Sequence, residues 1–144
     1  KISQEDEFMF KWNESFATGI KTIDSQHQRL FEIGEEIEVL LNTYLDQSTL
    51  HKTEELLHEL RDYTIYHFNT EKELFHKFNY PDLDHHLSEH DKFVDYLNKV
   101  DMDDIKMDQE EFLNNLLRTV AQWIFKHINS EDFKYVPFLK DKIQ

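Results

Sequence analysis

Apolar residues recur along most of this chain at intervals of three and four, the spacing of one face of an α-helix. From about 23 to 44 they fall at Ile23, Leu30, Phe31, Ile37, Leu40, Leu41 and Tyr44, with His27 on the same stripe. From about 49 to 78 the stripe is Leu56, Leu57, Leu60, Tyr63, Thr64, His67, Phe68, Glu71, Leu74, Phe75 and Phe78, with Ser48 or Thr49 as N-cap. This second helix stops before Pro81, because a residue preceding proline avoids the α region. A third helix starts at Asp84 or His85 and runs to about 100 through His86, His90, Phe93, Val94 and Leu97. A fourth starts after Asp108, with Glu111 three residues on as in a capping box, and carries Phe112, Leu113, Leu116, Leu117, Val120, Trp123, Ile124, His127 and Ile128. Residues 1–9 are polar and read as a loose, flexible arm, FKWNESFATGI leads into the first helix, and EDFKYVPFLKD reads as a short tail. Long amphipathic helices with short connections predict an all-α fold: an up-down-up-down four-helix bundle with a non-helical N-terminal arm and a short C-terminal tail.

Composition supports this picture. Only two Gly and two Pro occur in 144 residues, so turns are few, and the length fits one domain over 1–144. Twelve Phe supply bulk for a single core. A net charge of −14 repels phosphate backbones and anionic lipid, which argues against nucleic-acid and membrane partners. No apolar run approaches the ~18 residues of a membrane span, and no signal-peptide pattern opens the chain, so the expected compartment is the cytoplasm. Opening at Lys1 rather than Met fits processing, or excision from something larger. The absence of cysteine removes disulfides, thiolate metal sites and cysteine nucleophiles together.

The helical stripes have one anomaly. Each carries histidine where the core should be: His27, His67, His86 with His90, and His127, joined by Glu71 on the second stripe and Asp132 just beyond the fourth. Positions four apart lie about 40° from each other on a helix, so His67 and Glu71 project together, as do His86 and His90. His85 is one residue out of this register and is assigned outward, and His51, His58 and His76 are read as surface. His127 and Asp132 are five apart, about 140° around an ideal helix, so the helix must either distort or end for both to face inward. An unpaired buried polar group costs about 1–3 kcal/mol, and seven are too many for a fold stable by about 5–15 kcal/mol. Metal ions satisfy them all, since imidazole suits Zn, Cu, Fe and Ni, and carboxylates bridge cation pairs about 3.5–4 Å apart. A lone histidine on an apolar face is more often a hydrogen-bonded core residue than a ligand. Five on four helices with two carboxylates reverse that judgement. Asp24 either supports His27 or supplies a favourable charge at a helix start, and Tyr63 and Tyr66 are candidates to hydrogen-bond the ligands.

The pieces FKWNESFATGIKTIDSQHQRLF, YHFNTEKELF, YPDLDHHLSEH and WIFKHINSEDF together resemble the hemerythrin-like domain family, of the bacterial kind, over about 10–139. The motif is His, His-x3-Glu, His-x3-His, then His-x4-Asp, with all seven positions filled in order. The resemblance implies two non-haem iron ions with an oxo or hydroxo bridge. His86, His90 and His127 would hold one ion, His27 and His67 the other, and Glu71 and Asp132 both. It also implies that Asp132 is a ligand despite its spacing. Lys72 stands where the family often has a second acidic residue, and Phe75 where it often has Met.

The implied activity is reversible O2 binding for carriage, storage or delivery, not enzymatic turnover. Ile23, Phe31, Phe68, Trp123, Ile124 and Ile128 lie within a turn of the ligands and are expected to wall a dry O2 pocket without a general acid. Two other classes fit the same ligands. One is an O2 or redox sensor with a fused or partner signalling domain. The other is a weak di-iron enzyme acting on peroxide or nitric oxide.

Overall fold

A computed structural model describes residues 9–143. The helices are α1 (Lys21–Leu41), α2 (Leu50–Phe78), α3 (Leu83–Asn98), α4 (Met102–Met107), α5 (Gln109–Lys126) and α6 (Phe133–Ile143). A π-helical segment, His127–Asp132, joins α5 to α6. The four long helices α1, α2, α3 and α5 form the bundle expected from the stripes. Among the described residues no helix is long and apolar enough to cross a membrane.

Local sequence accounts for most boundaries. Asp108 caps α5 by accepting from the Glu111 N–H at 3.1 Å. α2 ends at Asn79, which adopts the left-handed conformation (φ 56°, ψ 52°) that asparagine tolerates, two residues before Pro81. Thr49 is the N-cap position of α2, one of the two expected, but its side chain makes no cap bond there; the capping side chain is Asp46, three residues earlier. Its side chain accepts from the Ser48 N–H while the Thr49 hydroxyl accepts from the Asp46 N–H, ahead of a single 3-10 turn over Gln47–Thr49. α1 stops at Leu41, short of the expected 44, and Tyr44 is 82% exposed in the connection. The tail is also a correction, since EDFKYVPFLKD is largely the helix α6. Pro137 lies within α6, in its second turn, five residues after the π segment ends. α4 was not expected; its Ile105 is fully buried and closes one end of the core.

Residues 1–8 of the expected arm lie outside the described residues. Beyond them the chain is tied down. The Glu38 carboxylate, fully buried on α1, accepts from the Met9 and Phe10 backbone N–H groups at 2.9 and 2.8 Å. One turn earlier, Gly34 leaves room for the Phe10 ring, which would overlap any β-carbon there. Phe10, Trp12, Phe16, Phe31 and Phe125 then pack edge to face or tilted in one aromatic cluster.

The buried apolar residues fall into two clusters. The larger contains Phe31, Ile37, Leu60, Phe68, Phe93, Leu113, Ile124 and Ile128. The smaller contains Ile20, Ile23, Phe75, Tyr80, Tyr135 and Leu139. The layer of histidines and carboxylates lies between them along α1 and α2: His27 follows Ile23 and precedes Phe31, and Glu71 follows Phe68 and precedes Phe75.

Candidate metal centre

The five inward histidines and the two carboxylates are all buried. His27, His67, Glu71, His86, His90, His127 and Asp132 are each at most 5% exposed. The remaining histidines, His51, His58, His76 and His85, are exposed as expected.

The helices aim the seven at one locus. Asp132 Oδ2 is 3.1 Å from His27 Nε2, while its Oδ1 is 3.0 Å from His86 Nε2 and 3.2 Å from His127 Nε2. Glu71 Oε1 is 3.0 Å from His90 Nε2, 3.6 Å from His67 Nε2 and 3.7 Å from His86 Nε2. Two overlapping groups result: Glu71, His86, His90, His127 and Asp132, and His27, His67, Glu71 and Asp132. Both carboxylates belong to both groups. Donors about 2.1 Å from one cation and at right angles to each other lie about 3.0 Å apart, which is the spacing observed.

Hydrogen bonds do not explain this packing. Among the described residues nine buried side-chain atoms lack a hydrogen-bond partner, and five of them belong to this locus: His27 Nε2, Glu71 Oε1, His90 Nε2 and both Asp132 oxygens. Their approaches have the distances of hydrogen bonds without the angles, as expected for atoms aimed at a common point rather than at one another. Orphaned nitrogen and oxygen donors, buried and convergent, fit a pair of metal ions held by imidazole and carboxylate.

The π segment resolves the spacing of His127 and Asp132. An i→i+5 helix brings residues five apart onto one face, so the helix distorts rather than ends. Aromatic packing fixes several rings. Phe68 stacks on His90 with centroids 3.7 Å apart and planes 1° apart, and Trp123 stacks on both His127 (4.3 Å) and Phe93 (4.2 Å). Phe75 meets His86 edge-on at 4.8 Å.

Two orienting residues were not legible in the sequence. Gln26 donates from Nε2 to Thr70 Oγ1 at 3.1 Å, so its oxygen is left to accept from His67 Nδ1 at 2.7 Å. That fixes the His67 tautomer, leaving the Nε2 lone pair facing inward. Tyr135, fully buried on α6, donates its hydroxyl to Glu71 Oε2. A tail read as irregular offered no face on which to place it. Tyr63 and Tyr66, by contrast, make no hydrogen bond to the ligands, and Tyr66 is 57% exposed. Asp24 is committed to the start of α1, accepting from the Thr18 N–H and hydroxyl and the Gly19 N–H.

Electrostatics follow from burial and pairing. For His86, burial opposes protonation, but Asp132 and Glu71 outweigh it and raise its pKa to about 9. His27 is also raised, with Asp132 prevailing over burial. Burial lowers His67 to about 4 and also lowers His90. Burial pushes Glu71 and Asp132 up, but the surrounding imidazoles hold both below the ordinary carboxylate range.

Residues 18–139 match the model of the hemerythrin HHE cation binding domain. The chain belongs to that family. A bacteriohemerythrin of Clostridium acetobutylicum is 31% identical over 128 residues, covering 89% of this chain and 99% of its own. A hemerythrin-like protein of Naegleria gruberi is 32% identical over 127 residues (88% and 90%), and hemerythrin subunit alpha of Lingula anatina is 31% identical over 130 (88% and 92%). Among solved structures, a wild-type hemerythrin superposes with a TM-score of 0.70 at 24% identity, covering 88% of this chain and 95% of that one. That likeness concerns the hemerythrin fold, and the donor geometry above supplies the chemistry of the site.

Proposed function

We propose that this hemerythrin-family chain binds O2 reversibly at a non-haem di-iron centre, as a carrier, store or donor of O2 rather than as an enzyme. The observation that carries the reading is the unequal pair of donor groups sharing Glu71 and Asp132. His86, His90 and His127 with both carboxylates give one ion five protein donors, and His27 and His67 with the same carboxylates give the other four. Of the two ions these residues would hold, the one on the four-donor group would have the more room for an exogenous ligand. The iron pair, when bound, supplies two electrons to O2 and recovers them on release.

The chain's own residues hold and insulate this centre. Gln26 and Tyr135 orient His67 and Glu71 from outside. Phe31, Phe68, Trp123, Ile124 and Ile128 lie in the larger apolar cluster and exclude water, which favours ligand release over turnover. Ile23 lies in the other cluster, against the opposite side of the donor layer.

Iron analysis with spectra tests the reading. Anaerobically reduced protein with two irons per chain should gain a visible absorption band in air and lose it when O2 is removed. A featureless spectrum at full iron loading would refute it.

A further inference from the structure

One buried polar group near the centre is used by neither the ligand set nor its orienting bonds. Thr64 is 1% exposed, and its Oγ1 has no hydrogen-bond partner among the described residues. A helical threonine commonly relieves its hydroxyl on the carbonyl one turn back, but here that bond is not made. Valine would fill the same space with nothing left unpaired.

Its position gives the hydroxyl a use. Thr64 precedes His67 by three residues and Phe68 by four, on the buried face of α2, about 4.5 Å along the axis from His67. On the neighbouring α1, which runs the other way, Leu30 and Phe31 follow His27 by the same three and four residues. On α5, Ile124 precedes His127 by three. Thr64 therefore shares a layer with Leu30, Phe31 and Ile124, none of which offers a side-chain polar atom. It stands on the helix that supplies His67 to the four-donor group.

We propose that the Thr64 hydroxyl is the hydrogen-bond donor to the exogenous ligand of this centre, a diatomic or linear monoanion with a terminal lone pair, of which O2 and azide are examples. The inference rests on the O2-binding reading and adds a selective element to it. Ligands with a basic outer atom gain over those without one, and the dry wall expected from the sequence gains a hydroxyl donor. The donated proton stays on the threonine oxygen, so the contact favours retention without delivering acid.

The test compares Thr64→Val and Thr64→Ser with the wild type. Azide titration of the diferric protein should give a Kd roughly tenfold higher for the valine variant and within about threefold of wild type for serine. The infrared stretching frequency of bound azide should move in Thr64→Val and return in Thr64→Ser, which a purely structural role would not produce. Metal-free Thr64→Val should melt at or above the wild-type temperature, since no hydrogen bond is lost. A valine variant with unchanged azide affinity and frequency, or with a clearly lowered apo melting temperature, would overturn the proposal. A wild type that binds neither azide nor O2 at two irons per chain would instead defeat the O2 reading, and this inference with it.

Discussion

Without metal, this donor cluster must balance its own charge, and the way it does so makes stability depend on pH in a specific way. The folded chain holds a proton on His86 up to about 9, against 6.5 for a free imidazole. Protonation therefore favours the folded state. The contribution is complete below 6.5 and is lost as pH rises from 6.5 to about 9. That interval is 2.5 pH units, worth about 3 kcal/mol at ~1.4 kcal/mol each. His67 behaves oppositely. Burial lowers it to about 4, so its contribution is present above 6.5 and is lost, again by about 3 kcal/mol, as pH falls to about 4. His27 is raised and adds to the alkaline loss, while His90 is lowered and adds to the acid loss. The apo protein should thus be most stable near pH 6.5, falling on both sides. Urea unfolding with a chelator present, at intervals from pH 4 to 10, measures the profile. The His86→Gln variant isolates the cause, because the background from a net charge of −14 is common to both proteins. Its alkaline limb should be shallower by about 1.4 kcal/mol per pH unit, one proton's worth. Iron loading should flatten the alkaline limb of the wild type, since a coordinated imidazole nitrogen carries no proton. An apo profile that is flat from pH 5 to 9, or an alkaline limb unchanged by His86→Gln, would refute this account.

Other consequences can be measured separately. Glu71→Ala removes the oxygen that faces both donor groups and should cost at least one iron per chain and lower the melting temperature of the loaded protein; full metal content would contradict the sharing of Glu71. Tyr135→Phe deletes the hydroxyl bonded to a buried carboxylate and should destabilise the apo protein by about 1.5–3 kcal/mol in urea, with iron affinity reduced 10- to 100-fold by competition with a chelator. Glu38→Ala strands the buried Phe10 N–H and should cost roughly 2–4 kcal/mol, with new protease cleavage before Trp12; an unchanged digestion pattern would show that the aromatic cluster alone holds this segment. Gly34→Ala should reproduce that cleavage by displacing the Phe10 ring, although every carboxylate contact is retained.

The parts of this structure written in periodic patterns were readable without coordinates. α2, α3 and α5 announce themselves by apolar stripes and by the stop signals Asn79-Tyr80-Pro81, and the inward histidines stand out because they break those stripes. What escaped depends on contacts between distant segments. Glu38 on α1 reads as one more acidic residue among Glu32, Glu35 and Glu36, and only the docking of residues 9 and 10, 29 and 28 residues away, shows that it is buried. Gln26 sits beside His27 like any solvated polar residue until α2 brings Thr70 and His67 to its two ends. Thr64 passes for a tolerable core residue, because a sequence shows a hydroxyl but not whether anything accepts its proton.

The least readable element is also the one that completes the cluster of buried donors. On an α-helix His127 and Asp132 diverge by about 140°, so the spacing alone argues against their sharing a metal. The π segment removes the conflict. It forms where Asp132 reaches His27, His86 and His127 together, and where the same displacement turns α6 so that Tyr135, three residues on, meets Glu71. One local distortion thus places one carboxylate common to both donor groups and the residue that hydrogen-bonds the other. Asp132→Ala removes the first of these directly, whereas Tyr135→Phe removes only the second. Iron content separates the two cases, near zero for the alanine variant and partial for the tyrosine variant.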